Sequence, residues 1–224
     1  MASGRSCPQR YAPQARLFVA VPLPEFVCQA IGSIVEVVRE RLTAADRDAL
    51  SRGNPPGGRV RWVRMDGLHV TLRFVGDTAE ERLDAIARAM DAAAAVAAPF
   101  EIVVNGAGAF PSATRPRALW LDIVGGAESL AGLAGRLDDA FVEVGWPAEG
   151  RPFRAHLTVA RTDGVRAGPL AARELATLAN GLDARFQADR LVLFRSHLGG
   201  GPARYEPLHE SRLSGTIAGL PTAE

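Results

Sequence analysis

The sequence predicts an α+β fold of two similar lobes, in which helices cover the outer faces of two antiparallel-rich sheets that flank a central cleft. The order strand, helix, His-x-Thr strand, helix, strand occurs twice along the 224 residues. The two His-x-Thr motifs begin at His69 and His156, and later strands begin at Phe100 and Phe186, so both pairs are separated by nearly the same length of chain. This agreement predicts an internal duplication.

The composition is that of a folded protein without a strong charge bias. Apolar residues make up 47% and charged residues 23%, and the net charge of +1 means that any contact with nucleic acid must be local. The chain contains Arg but no Lys, which excludes lysine-dependent chemistry such as a P-loop or a Schiff base. Cys7 and Cys28 cannot build a disulfide framework or a zinc site, and residues 1–15 lack the apolar core of a signal peptide. We therefore expect a cytoplasmic protein with flexible tails at 1–15 and 214–224 and one bilobal domain over 16–213.

The first half of that domain, about residues 16–110, begins with a strand and a helix. The apolar run 17–21 is stopped by prolines and predicts a buried strand. Apolar residues at helical spacing predict a helix over 25–42. Residues 43–60 are polar and include Gly-Asn-Pro-Pro-Gly-Gly, so they are predicted to form a mobile loop.

The next segment contains the first motif. Residues 68–75 alternate and are rich in β-formers, which predicts a strand that ends at Gly76. Asp77 and Glu80 have the spacing of a capping box and predict the start of a helix. After that helix, the apolar run 100–104 predicts the next strand.

The second half, about residues 116–213, begins after the loop 111–116, which contains a proline at each end. Its elements follow the order of the first half, with one strand added at the end. The predicted elements are strands over 118–124, 156–161, 186–195 and 205–213 and helices over 128–144 and 169–180.

Two of the four histidines begin the same short pattern, His69-Val-Thr71 and His156-Leu-Thr158. On a strand, residues i and i+2 point to the same face, so each motif presents an imidazole and a hydroxyl together. Lobes related by a twofold axis would bring both pairs to one cleft. An ordinary strand histidine bonded to a neighbour is the alternative, but a core has no need of two polar residues on one face in both halves.

This set of groups is suited to acid–base catalysis at a phosphate without a metal or a cofactor. A neutral imidazole takes a proton from an attacking oxygen, and an imidazolium protonates a leaving oxygen. The hydroxyls of Thr71 and Thr158 can donate to the non-bridging phosphate oxygens, where charge builds in the transition state. No motif with metal-ligand spacing accompanies these strands. By this reasoning the two histidines are equivalent, so acid and base cannot be assigned from the residues alone.

The stretches His69-Val-Thr-Leu-Arg-Phe-Val-Gly76 and His156-Leu-Thr-Val-Ala-Arg161 resemble the paired signatures of the two-histidine (2H) phosphoesterases. The closer resemblance is to the bacterial and archaeal RNA 2′,3′-cyclic phosphodiesterases, historically called 2′-5′ RNA ligases, and it extends from about Arg16 to Leu213. Further matching stretches are Arg16-Leu-Phe-Val-Ala, Arg61-Trp62-Val, Gly108-Ala-Phe-Pro111, Arg117-Ala-Leu-Trp120, Arg151-Pro-Phe-Arg154 and Leu191-Val-Leu-Phe-Arg-Ser196.

The resemblance implies a bilobal fold and the hydrolysis of an RNA 2′,3′-cyclic phosphate to a 2′-phosphomonoester. It also implies that His69 is the general acid and that His156 is the general base that activates water. One departure is Ala155, where the family usually has proline, and this change removes no catalytic group. The expected partner is an RNA end or nucleotide with a 2′,3′-cyclic phosphate, bound by a monomer without a metal.

Four further side chains are candidate substrate-binding residues. Arg73 shares strand parity with His69 and can hold a phosphate, with a solvated charge at the strand end as the alternative. Arg161 has the opposite parity to His156 and reaches the cleft only if the strand bends or ends there. Trp62 and Phe74 can stack a base, although the sequence favours core packing for Phe74.

Other polar features are interpreted as structural or left open. Arg59, Arg61 and Arg64 are candidate contacts to a nucleic-acid backbone, with a solvated strand edge as the alternative. The remaining histidines, 197 and 209, lack the motif and are expected to be surface or hydrogen-bonded residues. The glycine-rich segment 199–202 is expected to be a hairpin connection.

Two other functions are compatible with the sequence. One is a phosphodiesterase of the same family that acts on 2′-5′ oligonucleotides or an ADP-ribose cyclic phosphate. The other is a nucleotide- or RNA-binding module without turnover. Reverse 2′-5′ ligation shares the transition state of hydrolysis, so the sequence leaves it open.

Overall fold

The computed structural model describes residues 14–55, 58–163, 167–197 and 203–216. None of its helices is both long enough and apolar enough to cross a membrane, over the residues described. Its elements, in chain order, are β1 (Gln14–Pro22), α1 (Glu25–Ser51), β2 (Val60–Trp62), a short 3₁₀ turn (Met65–Gly67), β3 (His69–Ala79), α2 (Leu83–Ala95), β4 (Phe100–Phe110), β5 (Ala118–Gly125), α3 (Ala127–Glu143), β6 (His156–Thr162), α4 (Ala167–Ala179), β7 (Ala184–Ala188), β8 (Arg190–His197) and β9 (Arg204–Arg212).

The strands form two antiparallel sheets, which confirms the predicted α+β class. The first sheet has the order β3-β1-β8-β9 and the second sheet the order β2-β6-β5-β4-β7. In each sheet the motif strand, β3 or β6, pairs with the strand that opens its own half of the sequence, β1 or β5. The sheets are not built from the two halves separately, because β4 joins the second sheet while β8 and β9 join the first.

The helices cover the two sheets in pairs. Helices α2 and α3 contact the first sheet at β8, β9 and β3, while α1 and α4 contact the second sheet at β2, β4 and β7. In the motif strands the residues after each His and each Thr are buried, at 0–7% exposure, as predicted. These residues are Val70, Leu72, Leu157 and Val159.

Helix α1 is longer than predicted, because the segment expected to be a mobile loop is helical as far as Ser51. Residues 43–51 contain three Ala, one Arg and one Leu, which favour helices, and neither Gly nor Pro. The first helix-breaking residue is Gly53, whose φ of 75° is accessible to glycine at little cost. The remainder of the predicted loop includes residues 56–57, which lie outside the described part of the chain.

Strand β3 continues past Gly76 to Ala79, so the predicted capping box is wrong. Gly76 has a φ of 82° and lies at a register shift, where it allows the strand to bulge without ending. Asp77 remains in the strand and its carboxylate lies 3.6 Å from the Arg16 guanidinium. Helix α2 begins at Leu83 without a side-chain cap at its N-terminus.

The single strand predicted over 186–195 is two strands that belong to different sheets. β7 ends at Ala188 and β8 begins at Arg190, so the chain passes from the second sheet to the first at Asp189. The Asp189 carbonyl accepts a hydrogen bond from the amide of Leu213 at 2.8 Å. The other predicted elements are present with small changes of boundary. The predicted hairpin connection at 199–202 lies outside the described residues.

Candidate active site

The two motif histidines have the same position and the same hydrogen bond. His69 is the first residue of β3 and His156 the first residue of β6. The Nδ1–H of His69 donates to the Gly67 carbonyl at 2.7 Å, and that of His156 donates to the Arg154 carbonyl at 2.8 Å. A carbonyl accepts only, so each bond fixes the proton on Nδ1. Nε2 is therefore the atom that takes up or releases a proton in both rings.

Each motif strand contains a β-bulge one residue after the threonine. In β3, Thr71 and Arg73 face consecutive residues of β1, which leaves Leu72 as the extra residue. In β6, Thr158 and Ala160 face consecutive residues of β5, which leaves Val159 as the extra residue. A bulge reverses the alternation of faces that follows it. The burial patterns of the two strands are the same over their first six residues.

The bulge turns Arg73 away from the cleft, and the prediction that it binds phosphate is wrong. The residue is 5% exposed and forms an ion pair with Asp138 of α3. Its guanidinium carbon lies 4.9 Å from the centre of the Phe141 ring, and Nη2 donates to the Pro147 carbonyl at 2.5 Å. Arg73 thus joins the first sheet to helix α3. The strict alternation of faces along a strand predicted that Arg73 shares the face of His69, because it assumes a ladder without a bulge.

The same bulges bring Phe74 and Arg161 to the face of the motif His and Thr residues. Phe74 is 68% exposed, so the core packing that the sequence favours for it is wrong. Its ring centre lies 6.3 Å from that of Phe18, which packs on His69. Arg161 is exposed at the corresponding position of β6. The bend that the sequence required for Arg161 to reach the cleft is the bulge at Val159.

Trp62 lies on the other face of the second sheet. It is directly opposite Ala160, which is fully buried, and opposite residues of an antiparallel pair share a face. Its half-buried ring packs against the hydrophobic core. The prediction that Trp62 stacks a base is therefore wrong. Arg61, one residue earlier, lies directly opposite Arg161 and shares the cleft face instead.

His69 is surrounded by aromatic rings of the first sheet. Its ring centre lies 4.7 Å from Phe18, 6.0 Å from Phe194 and 4.9 Å from Tyr205, which contacts it edge-on. Burial lowers the pKa of His69 below its ordinary value of 6.5, and the hydrogen bond to the Gly67 carbonyl opposes that shift. The free protein therefore holds this imidazole mainly neutral at pH 7.

His156 has a different environment, formed by two aromatic rings and a cation. Phe110 meets it edge-on at 5.3 Å between ring centres, and Trp120 lies at 6.4 Å. The Arg154 guanidinium lies 5.1 Å from the Phe110 ring centre and 4.9 Å from that of Trp120. A side chain on Gly108 would collide with the Trp120 ring, so glycine is required there. The pairing of Gly108 with Trp120 was not predicted, since cross-strand register is absent from the sequence.

The two motif strands approach each other although they belong to different sheets. Residues of β3 and β6 lie within 8 Å of one another, measured between Cα atoms. The amide of Val63 donates to the Val159 carbonyl of β6 at 2.9 Å. The segment after β2 is therefore still hydrogen-bonded to β6 only a few residues before His69 begins β3. Burial raises the pKa of Tyr205, and the positive charge of Arg161 opposes that rise.

The motif threonines are half-buried on the same face as their histidines. No hydrogen bond joins the hydroxyl of Thr71 or Thr158 to a neighbouring side chain or carbonyl in the described ranges. The other two histidines are hydrogen-bonded to carboxylates away from the motifs, as the sequence analysis expected. His197 Nε2 lies 2.8 Å from Glu206, and His209 Nε2 lies 2.9 Å from Asp91.

Two antiparallel sheets, each contributing a His-x-Thr strand with the same bulge and the same histidine hydrogen bond, define the class of two-histidine phosphoesterases. The family model of the 2′-5′ RNA ligase superfamily matches residues 44–200, and the chain belongs to this superfamily.

Individual relatives cover nearly the whole chain. It is 30% identical over 200 residues to the RNA 2′,3′-cyclic phosphodiesterase of Methanothermobacter thermautotrophicus, covering 89% of this chain and 100% of that protein. The crystal structure of TT0787 of Thermus thermophilus is 25% identical with a TM-score of 0.67, covering 90% of this chain and 100% of that one. E. coli LigT complexed with 3′-AMP has the same fold, with 24% identity, a TM-score of 0.60 and coverage of 90% and 99%.

Proposed function

We propose that this protein hydrolyses RNA 2′,3′-cyclic phosphodiester ends to 2′-phosphomonoesters by acid–base catalysis between His69 and His156. The observation that carries the proposal is the matched pair of imidazoles, each with Nδ1 bonded to a carbonyl and Nε2 left for proton transfer. The name of the relative from Methanothermobacter, an RNA 2′,3′-cyclic phosphodiesterase, supports the same substrate.

In the proposed reaction, water attacks the cyclic phosphorus while Nε2 of His156 takes its proton. The bond from phosphorus to the 3′ oxygen breaks, and Nε2 of His69 donates a proton to that oxygen. The phosphate stays on the 2′ oxygen, so one water is consumed and the protons balance. Both roles follow the family resemblance. The same steps with a 5′-hydroxyl in place of water form a 2′-5′ linkage, and read backwards they cleave it.

The two imidazoles are unequal, and this affects the proposed acid. Burial among aromatic rings disfavours the protonated form of His69 in the free protein. A bound phosphodiester carries a negative charge that favours the imidazolium beside it. We therefore infer that substrate binding and protonation of His69 are coupled, so that the proton is acquired where it is used.

The remaining cleft-face residues are suited to the rest of the nucleotide. Phe74 and the ring cluster around His69 offer apolar faces on which a base can stack. Arg161 is exposed two ladder positions beyond Thr158, and we propose that its guanidinium contacts a phosphate. All these groups come from one chain, which supports the proposal that a monomer is active.

The test is to incubate the protein with RNA that has a 2′,3′-cyclic end, in the presence of a chelator. The expected product carries a 2′-monophosphate, and the rate is the same with and without chelator. A 3′-monophosphate product, or cleavage of a 2′-5′ linkage in place of ring opening, would assign another reaction. Tight binding of the cyclic end without any product would select the non-catalytic binding module.

Replacing Thr71 or Thr158 with valine lowers kcat about 10- to 100-fold, because each hydroxyl is proposed to donate to a phosphate oxygen that gains charge in the transition state. Serine at either position retains most of the activity, since it keeps the donor. The readout is kcat for a cyclic mononucleotide under saturating conditions. Equal activity of the valine and serine variants would remove the threonines from the mechanism.

The lowered pKa of His69 predicts the pH at which this imidazole loses its proton in the free protein. We expect it to titrate below pH 6.5, the ordinary value for histidine, because burial disfavours the charged form. Tyr205→Ala removes a ring that buries His69 and shifts this titration to higher pH. The measurement is an NMR titration of the His69 ring protons, assigned by comparison with His69→Ala. A titration at or above pH 6.5 in the unmodified protein would contradict the effect of burial.

A further inference from the structure

We propose that Arg61 and Arg161 form a second anion site, which binds the phosphodiester that precedes the 2′,3′-cyclic end of an RNA strand. This inference rests on the proposed function and extends it from the reacting phosphate to the length of the substrate. It predicts that an end with at least one preceding linkage is a better substrate than a cyclic mononucleotide.

The first observation is the direct pairing of the two arginines across β2 and β6. Arg61 and Arg161 are opposite each other in the antiparallel ladder, and both are exposed on the cleft face. Like charges in directly opposite positions destabilise a sheet. Within the described ranges, neither guanidinium forms an ion pair with an acidic side chain. An anion bound between them would offset this repulsion.

The second observation is the distance of the pair from the reacting phosphate. Thr158 and Arg161 are two ladder positions apart, which corresponds to about 7 Å along the strand. This length is comparable to the separation of successive phosphates in an RNA strand. Arg61 is farther out, since β2 is the edge strand of the second sheet. The arginine pair thus lies where the chain that precedes the terminal nucleotide would leave the cleft.

The third observation is the sign of the charge around this edge. Charged residues next to the pair along β2, β6 and the turn after β2 are Arg59, Arg64, Asp66 and Asp163. Asp66 is bound by Arg64, and Asp163 accepts a hydrogen bond from the Arg59 amide. Arginines therefore outnumber carboxylates at this edge. At the other end of β6 the position opposite His156 is Asp122, which is less suited to an approaching phosphate.

The experiment compares a cyclic mononucleotide, cytidine 2′,3′-cyclic phosphate, with the dinucleotide CpC that ends in the same cyclic phosphate. The unmodified protein has the higher kcat/KM for the dinucleotide, through a lower KM. Arg61→Gln lowers the ratio of the two kcat/KM values about tenfold, as expected for the loss of a charge-assisted hydrogen bond. Arg61→Lys keeps most of the ratio because it keeps the charge.

Two controls separate the anion site from a general effect of charge. Arg136→Gln, an exposed arginine on α3, leaves the ratio unchanged. A dinucleotide with an uncharged methylphosphonate linkage loses its advantage over the mononucleotide in the unmodified protein. Equal kcat/KM for the two natural substrates, or a ratio that Arg61→Gln does not alter, would overturn the anion site and leave the proposed function standing. Turnover of neither substrate would overturn both.

Discussion

His69→Ala and His156→Ala each lower turnover of a 2′,3′-cyclic nucleotide at least about 100-fold, because each variant removes a group proposed to transfer a proton in the transition state. Both rings are held by the same hydrogen bond to a carbonyl two residues earlier, so their Nε2 atoms have equivalent orientations on the two strands. The measurement is the initial rate with saturating cyclic mononucleotide.

The matched control is His197→Ala, since His197 is exposed and hydrogen-bonded to Glu206 outside the motifs. It retains activity within about twofold, as expected for a surface substitution. Thermal unfolding of all three variants confirms that each is folded. A residual rate within about tenfold of the unmodified protein, for both motif variants, would remove the paired-histidine mechanism.

A substrate with sulfur in place of the leaving 3′ oxygen shows which histidine is the general acid and which is the general base. A thiolate leaves without protonation, so this substrate does not need a general acid. We expect it to restore turnover to His69→Ala and not to His156→Ala. Rescue of His156→Ala alone would reverse the two roles.

Several predictions based on short-range patterns in the sequence agree with the structure, whereas the capping box at Asp77 and the loop over 43–60 do not. The alternation of apolar and polar residues gave the positions of β3 and β6, and the repetition of His-x-Thr identified the two strands that approach each other. Burial of the residue after each His follows from the period of two along a strand. These features depend on residues that are neighbours along the chain, which is why a single sequence contains them.

Features that depend on register were not predictable from the sequence. The bulges at Leu72 and Val159 decide that Phe74 and Arg161 face the cleft while Arg73 does not. A bulge arises from the pairing of two strands, so neither motif strand shows it by itself. Register also decides that Arg61 faces the cleft and Trp62 faces the core, because the faces of both residues are set by the pairing of β2 with β6.

The assignment of strands to sheets is a second feature that requires tertiary structure. The continuous β-rich run from Phe186 to Arg195 gave no sign of a break at Asp189, because both parts are equally apolar. The exchange of β2 and β4 for β8 and β9 between the halves is a matter of topology, and the repeated order of elements is compatible with either arrangement. The duplication is visible in the sequence, whereas the exchange is not.

The corrected position of Arg73 leads to the largest predicted effect on stability. Asp138→Asn lowers the free energy of unfolding by about 3 kcal/mol, because it leaves a nearly fully buried guanidinium without its counter-ion. The midpoint of urea unfolding measures the change. Asp139→Asn, the exposed neighbour on the same helix, stays within about 0.5 kcal/mol.

Replacing both partners distinguishes a structural ion pair from a substrate contact. Arg73→Met combined with Asp138→Leu removes both charges and recovers most of the lost stability, since no buried charge remains unpaired. The Met side chain can pack on the Phe141 ring that the guanidinium now covers. Because Arg73 lies on the helix-covered face, the KM of the folded double variant for a cyclic nucleotide stays within about twofold of the unmodified value, as for other substitutions outside the site. A KM raised tenfold or more would indicate that Arg73 contacts the substrate in the cleft, which would contradict the bulge at Leu72.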